Sequence, residues 1–109
     1  MLFCISGEYT AEALTKLGRN PTNRQEALSN LCEAAGAKVV AMYGTLANGP
    51  GAMAIIDAEP LAGPAIVGVI VASGALQNTQ MKRLFTMDEV QQIRQKRSEI
   101  TDSYKAPGQ

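Results

Sequence analysis

The sequence predicts an α+β domain with the element order β-α-β-β-α-β and one further helix at the C-terminus. The first observation is that segments with apolar residues at every second position alternate with segments whose apolar residues recur at helical spacing. The second is that Gly, Pro and Asn-Gly pairs stand between these segments. The third is that 46% of the 109 residues are apolar, which suits one modest core. We therefore interpret residues 1–109 as a single domain.

The first strand covers about residues 1–9 and is apolar on both faces. One face carries Leu2, Cys4 and Ser6, and the other carries Phe3, Ile5 and Gly7. A short helix follows, with Thr10 as its N-cap and its end near Leu17. The segment Gly18-Arg19-Asn20-Pro21 then interrupts the helical pattern. A longer helix begins at Thr22, where Thr-x-x-Gln is a capping-box pattern, and Gly36 ends it.

A β-hairpin is predicted in the middle of the chain, with strands over residues 38–46 and 51–58. The turn Ala47-Asn48-Gly49-Pro50 has the residue types that favour chain reversal. Strict alternation places Val39, Ala41, Tyr43 and Thr45 on one face of the first of these strands. In the second, Ala52, Ala54, Ile56 and Ala58 oppose Met53, Ile55 and Asp57.

The second half of the sequence contains one ambiguous segment. Residues 66–71 are mostly β-branched, which favours a strand, whereas Leu61, Ala65 and Val69 recur at helical spacing after Pro60. We predict a helix up to Ser73, because proline is tolerated in a helix's first turn. A more polar fourth strand follows over residues 75–85, with Leu76, Asn78, Gln80, Lys82 and Leu84 on one face.

The C-terminal helix is predicted over residues 86–104, followed by a loose tail at 105–109. Thr86-x-x-Glu89 is a second capping-box pattern and starts the helix. Its narrow apolar stripe, formed by Val90, Ile93, Ile100 and Tyr104, leaves two alternatives. The helix packs on its own domain or against another subunit.

This order of elements corresponds to the ferredoxin-like pattern, with an antiparallel four-stranded sheet and helices on one face. The other face of the sheet would then be bare. Because strands one to three carry apolar residues on both sides, that face is expected to be an interaction surface. Stacking it on a second subunit gives a dimer with a shared core. We therefore predict a homo-oligomer that assembles through the open sheet face.

Several short segments, in this order and spacing, resemble the GYD-domain family of small bacterial proteins. They are Glu8-Tyr9-Thr10, Arg24, Ala35-Gly36-Ala37-Lys38-Val39, Tyr43, Ala54-Ile55-Ile56-Asp57-Ala58-Glu59-Pro60 and Arg83-Leu84-Phe85-Thr86. The resemblance covers the chain up to about Glu89 and implies a ferredoxin-like fold of the dimeric α/β-barrel type. It implies no settled activity.

The sequence departs from this family at the motif that gives the family its name. Gly-Tyr-Asp at the start of strand three is replaced by Gly49, Pro50 and Gly51. The tyrosine and the aspartate are therefore missing, and a role that depends on that aspartate does not transfer to this chain.

Composition excludes several classes of function. The chain has no His, and its two Cys lack zinc-site spacing, so we expect no metal and no cofactor. Ten basic residues balance ten acidic ones, which argues against binding to nucleic acid or to a membrane. The first eight residues lack the basic segment of a signal peptide. We predict a cytoplasmic protein with reduced thiols.

Five polar or reactive side chains are candidates for a ligand pocket in the interior between stacked sheets: Cys4, Tyr43, Asp57, Asn78 and Gln80. A buried Asp57 would act as a general base, whereas an exposed one is an ordinary acid at a strand end. Tyr43 either orients a ligand through its hydroxyl or packs only. Cys4 is a reactive thiol only if it is exposed near positive charge.

Three functions remain open from the sequence. The first, which we favour, is an oligomeric module that binds a small molecule or a partner protein without catalysis. The second is a cofactor-free enzyme, of monooxygenase or isomerase type, acting on an apolar or aromatic substrate at a dimer interface. The third is a structural subunit connected through the C-terminal helix. Similar folds host unrelated functions, so the site must decide between them.

Overall fold

A computed structural model describes all residues, 1–109, and confirms the α+β, ferredoxin-like order. Four antiparallel strands form one sheet in the order β2-β3-β1-β4. The elements in chain order are β1 Leu2–Tyr9, α1 Ala11–Arg19, α2 Arg24–Ala34, β2 Lys38–Leu46, β3 Pro50–Asp57, α3 Ala62–Ala72, β4 Leu76–Leu84 and α4 Met87–Ile100.

The core lies between one face of the sheet and the helices α2 and α3. On β1 and β3 every second residue points into it, as the alternation predicted. The buried cluster consists of Phe3, Ile5, Leu28, Cys32, Ala37, Ala54, Ile56, Ala58 and Ile66. Ile56 is completely inaccessible, and Ile66 and Cys32 are 1% exposed. Cys32 is therefore a core residue.

Local hydrogen bonds explain where the first two helices begin and end. The Thr10 hydroxyl accepts from the Ala13 amide, which confirms the predicted cap of α1. The capping box predicted at Thr22 is wrong, because Asn23 caps α2 and accepts from the Glu26 amide. Asparagine one residue later is preferred over threonine at the N-cap position.

Gly36 ends α2 as the sequence predicts. Its φ of 72° lies in the left-handed region that glycine enters without strain. The amides of Gly36 and Ala37 donate to the carbonyls of Glu33 and Cys32, so the last turn of α2 is closed in a Schellman arrangement. The chain therefore reverses directly into β2.

Two β-bulges shift the predicted alternation. In β2 the register changes between Val39 and Ala41, so these two residues lie on opposite faces rather than on one. In β4 the register changes opposite Ser6 to Glu8, and Asn78 adopts a φ of 52°. Leu76 consequently faces the helices, not the side that carries Gln80 and Lys82.

The ambiguous segment after β3 is a helix, α3, as predicted. Its first turn approaches the sheet closely at the buried Gly63. A β-carbon at that position would lie 2.7 and 2.8 Å from two carbons of the Phe3 ring. Tertiary packing on the sheet therefore overrides the β-branched propensity of this segment.

The C-terminal helix extends away from the rest of the domain. α4 ends at Ile100 and a 3-10 turn covers Thr101–Ser103, so the predicted helix over 86–104 is four residues too long. None of its residues is buried. The Cα radius of gyration is 17.8 Å, compared with about 13 Å for a compact chain of this length. α4 does not pack on its own domain.

None of these helices combines the length and apolar character needed to cross a membrane.

Candidate functional site

The open face of the sheet is arranged in four rows, each crossing all four strands. From β2 to β4, the rows are Lys38-Asp57-Leu2-Leu84, Ala41-Ile55-Cys4-Lys82, Tyr43-Met53-Ser6-Gln80 and Thr45-Gly51-Glu8-Gln77. In the two middle rows the central positions are apolar or small, namely Ile55, Cys4, Met53 and Ser6, and no helix packs on them. The predicted bare face is therefore present in the chain.

Four of the predicted site residues, Cys4, Tyr43, Asp57 and Gln80, lie on this open face but do not converge. Tyr43 and Gln80 occupy opposite ends of one row, so three strand spacings, about 14 Å, separate their backbones. Tyr43 is 58% exposed. Cys4 is half-buried on the central strand β1, directly opposite Lys82. A small ligand would not contact both Tyr43 and Gln80 within one protomer.

Asp57 and Asn78 lie near the ends of their strands, with Asp57 in the outermost row of the open face. Asp57 is exposed at the end of β3 and accepts from the N-terminal ammonium group of Met1 at 2.9 Å. The burial required of a general base is absent in the protomer. Asn78 sits in the bulge of β4, and its Nδ2 donates to Glu8 Oε2 at 3.0 Å. Its amide therefore supports the bulge geometry.

A cavity of about 110 Å³ lies on the opposite, helix-covered side of the sheet. Eleven of its twelve lining residues are hydrophobic, and they come from β1, α2, β2, β3, α3 and the start of β4. The lining is Ile5, Tyr9, Arg24, Ala27, Leu28, Leu31, Met42, Ala52, Ala54, Ile70, Ala75 and Leu76. No residue pattern in the sequence predicted this cavity.

Small side chains explain why the space is unfilled. Ala52 and Ala54 are buried on β3, and each presents only a methyl group where a larger residue would fill the layer. Ala27 on α2 and Ala75 before β4 also line the cavity. The only signal in the sequence was the alternation of alanine on the face of β3 that the helices cover. Alanine at such positions is found beside cavities and also where a helix packs closely on a sheet, so it does not predict a cavity.

A polar groove of about 430 Å³ adjoins the cavity and shares Tyr9, Arg24 and Ala75 with it. The remaining wall comes from α1, the segment that joins α1 to α2, and residues Ser73 and Gly74. The hydroxyl of Thr10 donates to the Gly74 carbonyl at 2.8 Å, which ties the start of α1 to the end of α3. The apolar cavity therefore opens toward a polar, charged groove.

The groove carries more positive than negative charge. Lys16 pairs with Glu12 at 2.9 Å, and this hydrogen bond and charge lower the pKa of the Glu12 carboxyl. Arg19 and Arg24 also line the groove, and neither has a carboxylate partner within 4 Å. The Arg24 guanidinium donates only to the Thr22 hydroxyl, at 2.9 Å. The groove thus contains two arginines without a carboxylate partner, and one of them, Arg24, also lines the cavity.

Neither side of the sheet shows a preformed metal centre, since no three Cys, Asp or Glu side chains come together to hold an ion. Burial raises the pKa of the Cys32 thiol, which keeps it protonated inside the core.

Gly51, at the start of β3, stands where the family motif has its aspartate, and the sheet is closely packed around it. A β-carbon on Gly51 would overlap the Gly7 carbonyl oxygen and lie 2.9 Å from the Thr45 hydroxyl. β1 lies against Gly51 on one side and β2 on the other, so the sheet has no room for a side chain at this position.

Comparison with known proteins agrees with the fold. A profile of the GYD domain matches residues 3–93, which is most of the 109-residue chain. No curated protein matches the chain. The match begins in β1 and ends within α4, so it includes the whole sheet, the cavity and the groove. The chain belongs to the GYD domain family.

Proposed function

We propose that the protein is a homodimeric module that binds a small molecule and performs no catalysis of its own. The observation that carries this proposal is the apolar cavity between α2, α3 and the sheet. Its lining includes no carboxylate and no thiol, so neither a carboxylate base nor a cysteine nucleophile reaches a molecule bound there. The cofactor-free enzyme has no comparable observation in its favour.

Burial of the ligand's apolar part would drive binding in this cavity. Each methylene that moves from water into an apolar site contributes about 0.8 kcal/mol. The cavity is already formed by residues of the core layer, including Ile5, Leu28 and Ala54, so little ordering of the protein is required. An apolar cavity of about 150 Å³ accommodates benzene, so 110 Å³ suits roughly four to five heavy atoms.

The open sheet face supports the dimer. Four strands spaced by about 4.8 Å and about eight residues long cover roughly 500 Å². Two copies stacked on this face would bury about 1,000 Å², which is close to the lower limit for a specific interface. α4 adds further apolar surface, because Ile93 and Ile100 are 47% and 57% exposed. A second copy would cover the apolar centre formed by Met53 and Ile55.

The ligand site is tested by filling the cavity. Ala27 lines the cavity and lies on α2, where leucine is a good helix former. We expect Ala27→Leu to abolish binding of hexan-1-ol, measured by calorimetry and by the shift of the Met42 methyl signal in NMR spectra. Ala34→Leu, at an exposed position of the same helix outside the cavity, is the matched control. Equal hexan-1-ol binding by both variants would contradict the proposed site.

The dimer is tested independently of the ligand. Light scattering of the purified protein across a dilution series should give twice the chain mass at micromolar concentration. A folded monomer throughout the series would refute the assembly through the open sheet face, and it would leave the cavity unaffected. Native mass spectrometry of the same sample would show whether a ligand is retained from the producing cell.

A further inference from the structure

We propose that the ligand is a small amphipathic carboxylate, with its apolar part in the cavity and its carboxylate at Arg24. This inference rests on the proposed function and specifies the class of molecule that the site takes. It follows from the position of one charged residue on the rim of an otherwise apolar cavity.

Arg24 is the only non-hydrophobic residue in the cavity lining, and it also lines the groove. It is half-buried, so part of its hydration is lost. A guanidinium has five N–H donors, of which Arg24 uses one side-chain bond, to Thr22. The remaining donors face no carboxylate of the chain within ion-pair distance. A ligand carboxylate would accept them in a bidentate pair.

The surroundings of Arg24 favour an anion and not a cation. The groove is lined by three cations, Lys16, Arg19 and Arg24, and by one carboxylate, Glu12. Lys16 and Glu12 neutralise each other. The chain as a whole has no net charge, so this excess of two positive charges is a local property of the groove. An ammonium head group would be repelled at the same position.

The cavity size limits the apolar part of the ligand. A volume of about 110 Å³ suits roughly four to five heavy atoms by comparison with the benzene-binding cavity above. Hexanoate, with five carbons beyond its carboxyl carbon, is therefore a suitable probe. Tyr9 lines both cavity and groove, and its hydroxyl has no hydrogen bond within the chain.

The test compares three probes of equal chain length against the full-length protein. Hexanoate, hexan-1-ol and hexylammonium differ only in the head group, and calorimetry at low ionic strength measures each affinity. We expect hexanoate to bind most tightly and hexylammonium most weakly. Arg24→Gln should weaken hexanoate by about 10- to 100-fold, as expected for loss of charged hydrogen bonds, and should weaken hexan-1-ol by a much smaller factor, because its hydroxyl carries no charge.

A charge-matched control separates the local role of Arg24 from net charge. Arg94 is exposed on α4 and lies outside both cavity and groove. Arg94→Gln should retain the hexanoate affinity of the wild type. If hexan-1-ol binds as tightly as hexanoate and Arg24→Gln changes neither, the carboxylate assignment is overturned and the cavity remains a ligand site. If none of the three probes binds the wild type, the proposed function itself fails.

Discussion

Replacing Gly63 by alanine should destabilise the fold, although alanine is the better helix former. A β-carbon at Gly63 would lie 2.7 and 2.8 Å from the Phe3 ring and 3.0 Å from the Met81 methyl carbon. Favourable carbon contacts lie at about 3.5–4.0 Å, so α3 and the sheet must separate by several tenths of an ångström or more. Phe3 is only 6% exposed and has no space to move into.

The expected magnitude is the difference between two opposing effects. Overpacking a core position costs about 1–3 kcal/mol. Replacing glycine by alanine inside a helix stabilises the helix by at most about 1 kcal/mol, and by less in a first turn. The net loss at Gly63 should therefore be about 1–2 kcal/mol. Gly68 is the matched control, because it lies exposed in the same helix and a β-carbon added there would meet no atom within 4 Å. Gly68→Ala should stabilise by about 0.5–1 kcal/mol.

Urea unfolding of the three proteins measures both effects, and one chain concentration is used because the proposed dimer would make stability depend on concentration. With an m-value of about 1.5 kcal/mol/M, the midpoint should fall by about 1 M for Gly63→Ala and rise by about 0.5 M for Gly68→Ala. Shifts of the same sign and size in the two variants would refute the close contact between α3 and Phe3.

Three further results are expected. Ile55→Glu, which places a charge at the centre of the open face, should give a folded monomer by light scattering, whereas a persistent dimer would exclude this interface. A thiol reagent should modify Cys4 in that monomer and not in the dimer, while Cys32, with its buried thiol and raised pKa, should resist the reagent until unfolding. The Thr86 backbone amide donates to the Glu89 carboxylate and lowers its pKa. The capping box should therefore stabilise α4 fully above the ordinary carboxyl pKa range, and this stabilisation should be lost as the pH falls through the lowered pKa of Glu89. An NMR titration in which Glu89 has an ordinary pKa would contradict this.

The sequence predicted the fold through signals that act over short distances. The cap at Thr10, the capping box from Thr86 to Glu89 and the glycine at position 36 all depend on hydrogen bonds within about four residues, and all three are present. The cap of α2 was misplaced by one residue because Thr22 and Asn23 are both good acceptors. The capping-box spacing indicated Thr22, whereas the residue preference at N-cap positions favours Asn23, which is the cap in the structure.

The bulges escaped prediction for a different reason. Both faces of β2 carry apolar residues, so a change of face after Val39 leaves the pattern of residue types unaltered. In β4 the polar residues around Asn78 alternate in the same way before and after the bulge. Register is a property of a strand and its partner together, and a single strand's residues do not contain it.

In the candidate site, too, the sequence predicted which face a residue occupies but not which residues lie close together. Cys4, Tyr43, Asp57 and Gln80 share the open face, yet the pairing of four strands puts Tyr43 and Gln80 at opposite edges. Their role as pocket residues stays a prediction that depends on the dimer. The helix-side cavity depends on alanines that are far apart in sequence, such as Ala27 and Ala54, and was therefore not predicted.

By itself, the sequence determined the order and type of the elements, the absence of histidine chemistry and the apolar character of both sheet faces, because periodicity, caps and composition are local properties. Only the tertiary structure decided the register at the two bulges, the projection of α4 and the apolar cavity beside two unpaired arginines. A cavity is the space left between elements, so its volume and its lining depend on how distant segments pack together.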